Sequence, residues 1–148
     1  MNDWFAISML LSGGLFAGGV VTIAWERLPA WRATDVTEFR EAFAHTLRRV
    51  DRLQPMLLVV CLASTVAFAF GADGAARAAA VAAAAGFLVV LVGSVAWLVP
   101  LQRRLVDRRR EFERSELERW RRTWLRGHVV RTAIALIALA LAVVSAVA

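Results

Sequence analysis

The chain has 148 residues, 59% of them hydrophobic, with a formal net charge of +6 and a mean hydropathy of +0.59. That apolar content exceeds what one soluble domain of this length buries, which excludes an ordinary water-soluble globule. The charge does not indicate a nucleic-acid partner, because all 18 basic residues are arginines concentrated in two loops that border apolar runs.

The first apolar run, about residues 4–24, follows Met1-Asn2-Asp3. An acidic rather than basic leader and a long apolar stretch fit a retained membrane span better than a secretory signal. Gly14 and Gly18 make a small-x-x-x-small surface, expected to pack against another helix. A glycine-lined pocket wall or a homodimer contact is the functional alternative.

The loop at 25–54 opens with Trp25, Glu26 and Pro29. From Thr34 to Leu53 the apolar residues Val36, Phe39, Phe43, Leu47 and Val50 recur at three- and four-residue spacing, which predicts an amphipathic helix. Thr34 or Asp35 is its expected cap, with Glu38 reaching back. Pro55 starts a second span, 55–72. It ends in the turn Gly71-Ala72-Asp73-Gly74, so the second and third spans should be antiparallel neighbours.

The third span, 76–101, is alanine-rich, with Gly86 and Gly93 one heptad apart, and closes on Trp97 and Pro100. Residues 102–126 read as a solvated helical extension, with Asp107 beside Arg110 and Glu118 beside Arg122. A fourth span covers 127–148. Each run approaches the roughly 20 residues that cross a bilayer, so the expected fold is all-α: a single-domain, integral membrane four-helix bundle with a cytoplasmic amphipathic helix before span two.

Six arginines lie between Ala24 and Gln54 and ten between Leu101 and Gly127, against one in the 71–77 turn and none at either end. The positive-inside rule then makes both long loops cytoplasmic and both termini extracytoplasmic. Arginine without lysine, together with heavy alanine use, fits the codon bias of a GC-rich genome, and a bacterial inner membrane is the expected location. Cys61, the one cysteine, lies in mid-span, where packing is its simplest role; it excludes an intramolecular disulfide and thiolate clusters. No phosphate-binding glycine loop, GxSxG elbow or CxxC pair is present, which argues against nucleotide hydrolysis, triad hydrolysis and thiol redox chemistry.

The most informative pattern is Trp120, Trp124, His128 and Arg131, spaced to share one helix face as the chain enters the fourth span. One reading is an interfacial belt of tryptophan and snorkelling arginine. The sharper one is a polar pocket, since a cation a turn inside the membrane normally faces the bundle interior with a partner or ligand. His45 lies opposite the Phe39–Phe43 stripe and reads as a solvated histidine. With His128 and nearby acids such as Glu26, Glu41 and Asp51, it is also one half of an alternative metal or haem site, although no ligand-pair spacing fixes one.

Three features together resemble one family: the histidine ahead of Pro55, the Val99-Pro100-Leu101-Gln102 exit of span three, and Trp120-x3-Trp124-x3-His128-x2-Arg131-Thr132. That family is the anthrone oxygenase-like four-helix membrane proteins, and the glycine-rich first span extends the likeness over nearly the whole chain. The resemblance implies oxidation of an anthrone-type aromatic by molecular oxygen, with no metal or flavin compulsory. His128 or His45 would be the base and Arg131 the stabiliser of the enolate oxygen, while Trp124, Trp120 and Trp97 stack on the substrate and Gln102 contributes at the site. Gln102 stands where an asparagine-bearing exit is common, and Gly127 where asparagine often precedes the histidine, so the family's polar network does not transfer unchanged. Two other classes remain open: a non-enzymatic bundle that binds lipid, forms a homo-oligomer or serves a larger complex, and a histidine-ligated metal or haem protein.

Overall fold

The computed structural model describes residues 2–50, 53–107, 109 and 111–148, with the backbone only for Asn2, Arg48, Arg49 and Val50. All regular structure in these residues is helical: α1 (Asn2–Thr22), α2 (Leu28–Ala33), α3 (Val36–Val50), α4 (Leu53–Gly71), α5 (Gly74–Gly93), α6 (Val99–Val106) and α7 (Arg114–Val147). Two π turns, Ile23–Arg27 and Ser94–Leu98, join α1 to α2 and α5 to α6 without a break. Four continuous helices, Asp3–Ala33, Leu53–Gly71, Gly74–Val106 and Arg114–Val147, are long and apolar enough to cross a membrane. In hydrocarbon only such internally hydrogen-bonded segments are stable, and the chain is a multi-pass membrane protein. Its outer surface agrees, with large apolar side chains such as Leu15, Phe70, Val92 and Ile137 exposed.

Each π turn sits just ahead of a proline. Pro29 and Pro100 occupy the first turns of α2 and α6, and a proline ring crowds the carbonyl four residues back and donates no hydrogen bond. The preceding residue absorbs the misfit by bonding one position further: Leu28 N–H donates to Ile23 O and Val99 N–H to Ser94 O. The first and third spans therefore continue past the ends read from hydropathy, to Ala33 and Val106.

In the membrane-spanning part α1 packs on α4, and α5 on both α4 and α7. Phe16, Cys61, Phe87 and Ala138 fill the centre. Ser8 and Ser64 exchange a hydrogen bond of 2.8 Å between α1 and α4, a link worth about 0.6 kcal/mol in such helices. The turn between α4 and α5 is as short as expected, with Gly74 at φ 52°, a conformation that favours glycine.

The glycine expectations are corrected in part. Nothing within 4 Å meets a Cβ built on Gly14, Gly18 or Gly93, so those positions are open. The close approaches fall at Gly13, against Cys61 Sγ at 3.0 Å, at Gly19, against the Gln54 amide, at Gly86, against Ala138 Cβ at 2.9 Å, and at Gly127, against Leu98 Cδ2 at 2.7 Å.

A second core caps the arginine-rich end. α3 lays Phe39 and Phe43 onto Leu28 and Trp31 of α2, Leu101 and Leu105 of α6, and Trp124 and Leu125 of α7. Val36 is buried and Leu47 half-buried as expected; the side chain of Val50 lies outside the described residues. Asp35 caps α3 by accepting the Thr37 N–H at 2.8 Å. Thr34 bonds back to Ala30 O instead, and no Glu38 return bond forms among the described residues.

Residues 102–126 are not one helix: α6 ends at Val106 and α7 begins at Arg114. Arg40 of α3 accounts for the stop, donating from Nε to Leu105 O (2.8 Å) and from Nη2 to Asp107 O (2.6 Å), so that the terminal carbonyls of α6 have partners without further helix. Glu118 pairs with Arg122 as expected and also with Arg114. Arg110, the expected partner of Asp107, lies outside the described residues.

Candidate functional site

Between the two cores lies a cavity of about 90 Å³. Its aromatic end is Trp31, Phe43 and Trp124, and its side walls include Phe16, Leu58 and Leu91. The π turns supply further wall, Ile23 from the first and Ser94, Val95 and Leu98 from the second. Polar groups reach it from four helices: Thr46 of α3, Gln54 of α4, Gln102 of α6 and Arg131 of α7.

Gln54 and Gln102 are 9% and 8% exposed, and their carboxamides have no hydrogen-bond partner among the described residues. Trp124 Nε1–H is likewise buried without a partner. Buried polar groups are normally paired, so the indole N–H, with the two carboxamides on the same cavity wall, points to a polar ligand or water within it.

Beneath Trp124 lies His128, 0% exposed and stacked on the indole at 5.0 Å and 21°. Its Nε2 lies 3.1 Å from Val20 O of α1, and a carbonyl only accepts, so Nε2 carries the proton. Nδ1 is then the lone-pair nitrogen, and it accepts from Arg131 Nη2 at 3.2 Å. A proton on Nδ1 would set two N–H donors against each other, so this geometry holds a neutral imidazole. Trp124 continues the stack into the cap, edge-on to Phe43 at 4.7 Å and to Trp31 at 6.0 Å.

Of the residues singled out from the sequence, Trp124, Gln102 and Arg131 line the cavity, and His128 backs it through contacts with two of them. His45 is exposed on the far side of α3 and lines no part of it. Trp120 packs edge-on against Phe112 at 4.8 Å. Trp97 is 53% exposed, its ring 3.4 Å from where a Cβ on Gly127 would stand. Neither of these last two indoles lines the cavity: Trp120 packs against the aromatic cap one turn before Trp124, and Trp97 lies on the outer side of the second π turn.

The two histidines are not brought together. Among the described residues no group of three or more His, Cys, Asp or Glu side chains could hold a metal ion. Both His128 nitrogens already have partners, so a metal or haem iron there requires one of those bonds to break; Asp51, one of the acids considered, lies outside the described residues. Trp31, Gln54, Thr46 and Ser94 complete the site without having been picked out. Only Gln54 left a local signal, as a polar residue beside the proline that opens a span.

The class is thus a multi-pass helical membrane protein with a polar-edged aromatic cavity at the arginine-rich end of its bundle. A family model described as anthrone oxygenase matches residues 43–141, about two thirds of the chain. The chain belongs to that family. The matched stretch begins at Phe43 and includes Gln54, Gln102, Trp124, His128 and Arg131. No curated protein and no solved structure matches the chain.

Proposed function

We propose that the cavity binds a flat, hydrophobic, anthrone-type molecule and that the protein oxidises it with molecular oxygen to the quinone. The observation that carries this reading is the convergence of Trp124, Arg131, Gln54 and Gln102 on one buried cavity, within a chain of this family. The overall change is balanced without a resident cofactor: the ring methylene and O2 become a ring carbonyl and water.

The methylene proton is acidic because the resulting anion is delocalised onto the ring oxygen. Arg131 is the natural counter-ion for that oxygen, and such a charge contact is worth about 10²–10³ in rate. Its Nη2 now occupies the Nδ1 lone pair of His128. As the guanidinium turns onto the substrate oxygen, Nδ1 is released beside it and becomes the base; His45, exposed on α3, is not placed for that step. The anion then reduces O2, a carbon–oxygen bond forms to give a hydroperoxide, and loss of water leaves the carbonyl.

Sites for drug-sized ligands begin near 300 Å³, well above the present 90 Å³, so the walls part to admit three fused rings. Pro55 and Val95 line the cavity yet are exposed on the outer surface, which marks the gap between α4 and the second π turn as the entrance from the bilayer. The arginine-rich end, with the cavity, faces the cytoplasm of a bacterial inner membrane by the positive-inside rule.

The test is anthrone turnover by the full chain in nanodiscs, followed as O2 uptake and quinone absorbance above the protein-free background. Arg131→Gln is expected to lower the protein-dependent rate about 100-fold. Wild-type protein that adds nothing to the background, or an Arg131→Gln variant with full turnover, overturns this reading and favours a non-enzymatic, lipid-binding or accessory bundle.

A further inference from the structure

We propose that the groove between α2 and the start of α7 binds the phosphate headgroup of an anionic phospholipid, independently of the oxidation chemistry. The groove encloses about 350 Å³ and is lined by Arg32, Arg121, Arg122, Leu125 and Arg126. Four guanidinium groups and no carboxylate line it, an arrangement that repels itself until an anion enters.

The arginines are not equally committed. Arg121 donates to Thr34 O at 2.6 Å and Trp31 O at 3.4 Å, tying the end of α2 to α7. Among the described residues Arg122 approaches one carboxylate, that of Glu118 at 4.0 Å, which is held more closely by Arg114 at 3.2 Å. Among the described residues Arg32 and Arg126 have neither an ion pair nor a hydrogen bond. The groove is therefore built by Arg121, and its available donors belong to Arg32, Arg126 and part of Arg122.

Position identifies the anion as a lipid. Arg122 and Arg126 are four apart on α7, and the same helical stripe continues into Val129, Val130 and Ile137, exposed by 43%, 56% and 62%. Basic side chains thus pass directly into a lipid-facing apolar strip, the order in which a phospholipid presents phosphate and acyl chains. Trp25, 85% exposed and seven residues before Arg32 in the same continuous helix, marks the headgroup level on the other wall. Inorganic phosphate offers the same oxygens but gains nothing from Val130 or Ile137.

The test titrates the detergent-purified full chain with dioleoylphosphatidylglycerol and reads the first bound lipid by native mass spectrometry. Phosphatidylcholine and inorganic phosphate serve as comparison probes. R32Q/R126Q is expected to weaken the first phosphatidylglycerol roughly thirtyfold, and R126Q alone, which disturbs the fold least, roughly fivefold. R103Q/R104Q makes the same charge change on exposed α6 positions and leaves first-site affinity unchanged. Equal losses in both double variants, equal affinity for phosphatidylcholine, no loss in R126Q, or inorganic phosphate binding as tightly as the lipid overturns the proposal. Catalytic turnover enters none of these readings, so their failure is distinct from failure of the oxygenase assignment.

Discussion

Replacing His128 by alanine removes the one side chain that links α1, Trp124 and Arg131. Three losses follow from the geometry. The Arg131 Nη2 donor loses one acceptor at 3.2 Å and Val20 O, already within α1, loses a second donor at 3.1 Å, and each lost hydrogen bond costs about 0.5–1.5 kcal/mol. The ring, 0% exposed, leaves a void that adds about 2 kcal/mol if the site relaxes little. The stack on Trp124 contributes about 1 kcal/mol more. These contributions overlap, so the expected destabilisation is about 3–5 kcal/mol. It is measurable as unfolding in mixed micelles of rising dodecyl sulfate content, followed by tryptophan fluorescence. His128→Gln, which can still reach Val20 O, and His128→Asn, which can still accept from Arg131, should each recover part of the loss, and Arg131→Met should be strongly non-additive with His128→Ala. A His128→Ala protein within about 0.5 kcal/mol of wild type, or full additivity with Arg131→Met, refutes the bridging role.

Gly86→Ala should destabilise by about 1–3 kcal/mol because its Cβ meets Ala138 at 2.9 Å, whereas Gly14→Ala and Gly18→Ala, facing open space, should be neutral or gain up to about 1 kcal/mol in the same unfolding assay. Pro100→Ala should allow the second π turn to revert to α-helix, a rotation of about 100°, and cysteine labelling at Ser94→Cys should change with it. The Thr37 N–H, reinforced by Arg114 against an opposing desolvation, holds the Asp35 carboxyl below its ordinary range. A depressed folded value stabilises at neutral pH and is lost as the pH falls from about 4 through that lowered value. The protection factor of the Thr37 amide, the intrinsic exchange rate at each pH divided by the observed rate, should therefore fall in acid, and Asp35→Asn should flatten that dependence.

The parts of the fold legible in the sequence are those set by local pattern. Hydropathy placed four spans, the spacing of Val36, Phe39, Phe43 and Leu47 placed an amphipathic helix, and Gly71 to Gly74 placed a tight turn. The helix-compatible order of 102–126 gave no sign of a break at 107–113, because the break depends on Arg40, 65 and 67 residues away from the carbonyls it holds. Gly14 and Gly18 matched a packing motif and still face outward, since the motif states that a close approach is possible without saying which face the neighbour takes. For the site, the Trp124, His128, Arg131 stripe was readable because all three lie on one helix. Trp31, Gln54 and Ser94 join it from three other helices, a convergence that exists only after folding.

The prolines connect these observations. In a straight α-helix Ile23, Ser94, Val95 and Leu98 would follow the register of the lipid-embedded turns before them. The π turns ahead of Pro29 and Pro100 each insert a residue, which rotates the following segment by about 100°. One result is that Ser94, Val95 and Leu98 line the cavity while Trp97 faces outward. Another is that α2 and α6 leave the bundle at an offset that α3 fills with Phe39 and Phe43. The cavity thus forms where the helical register slips, with Arg131 lining it and the neutral histidine behind. Opening for the proposed three-ring substrate gains from walls already out of regular register, because π turns exchange with α-helix by shifting hydrogen bonds rather than by breaking the span.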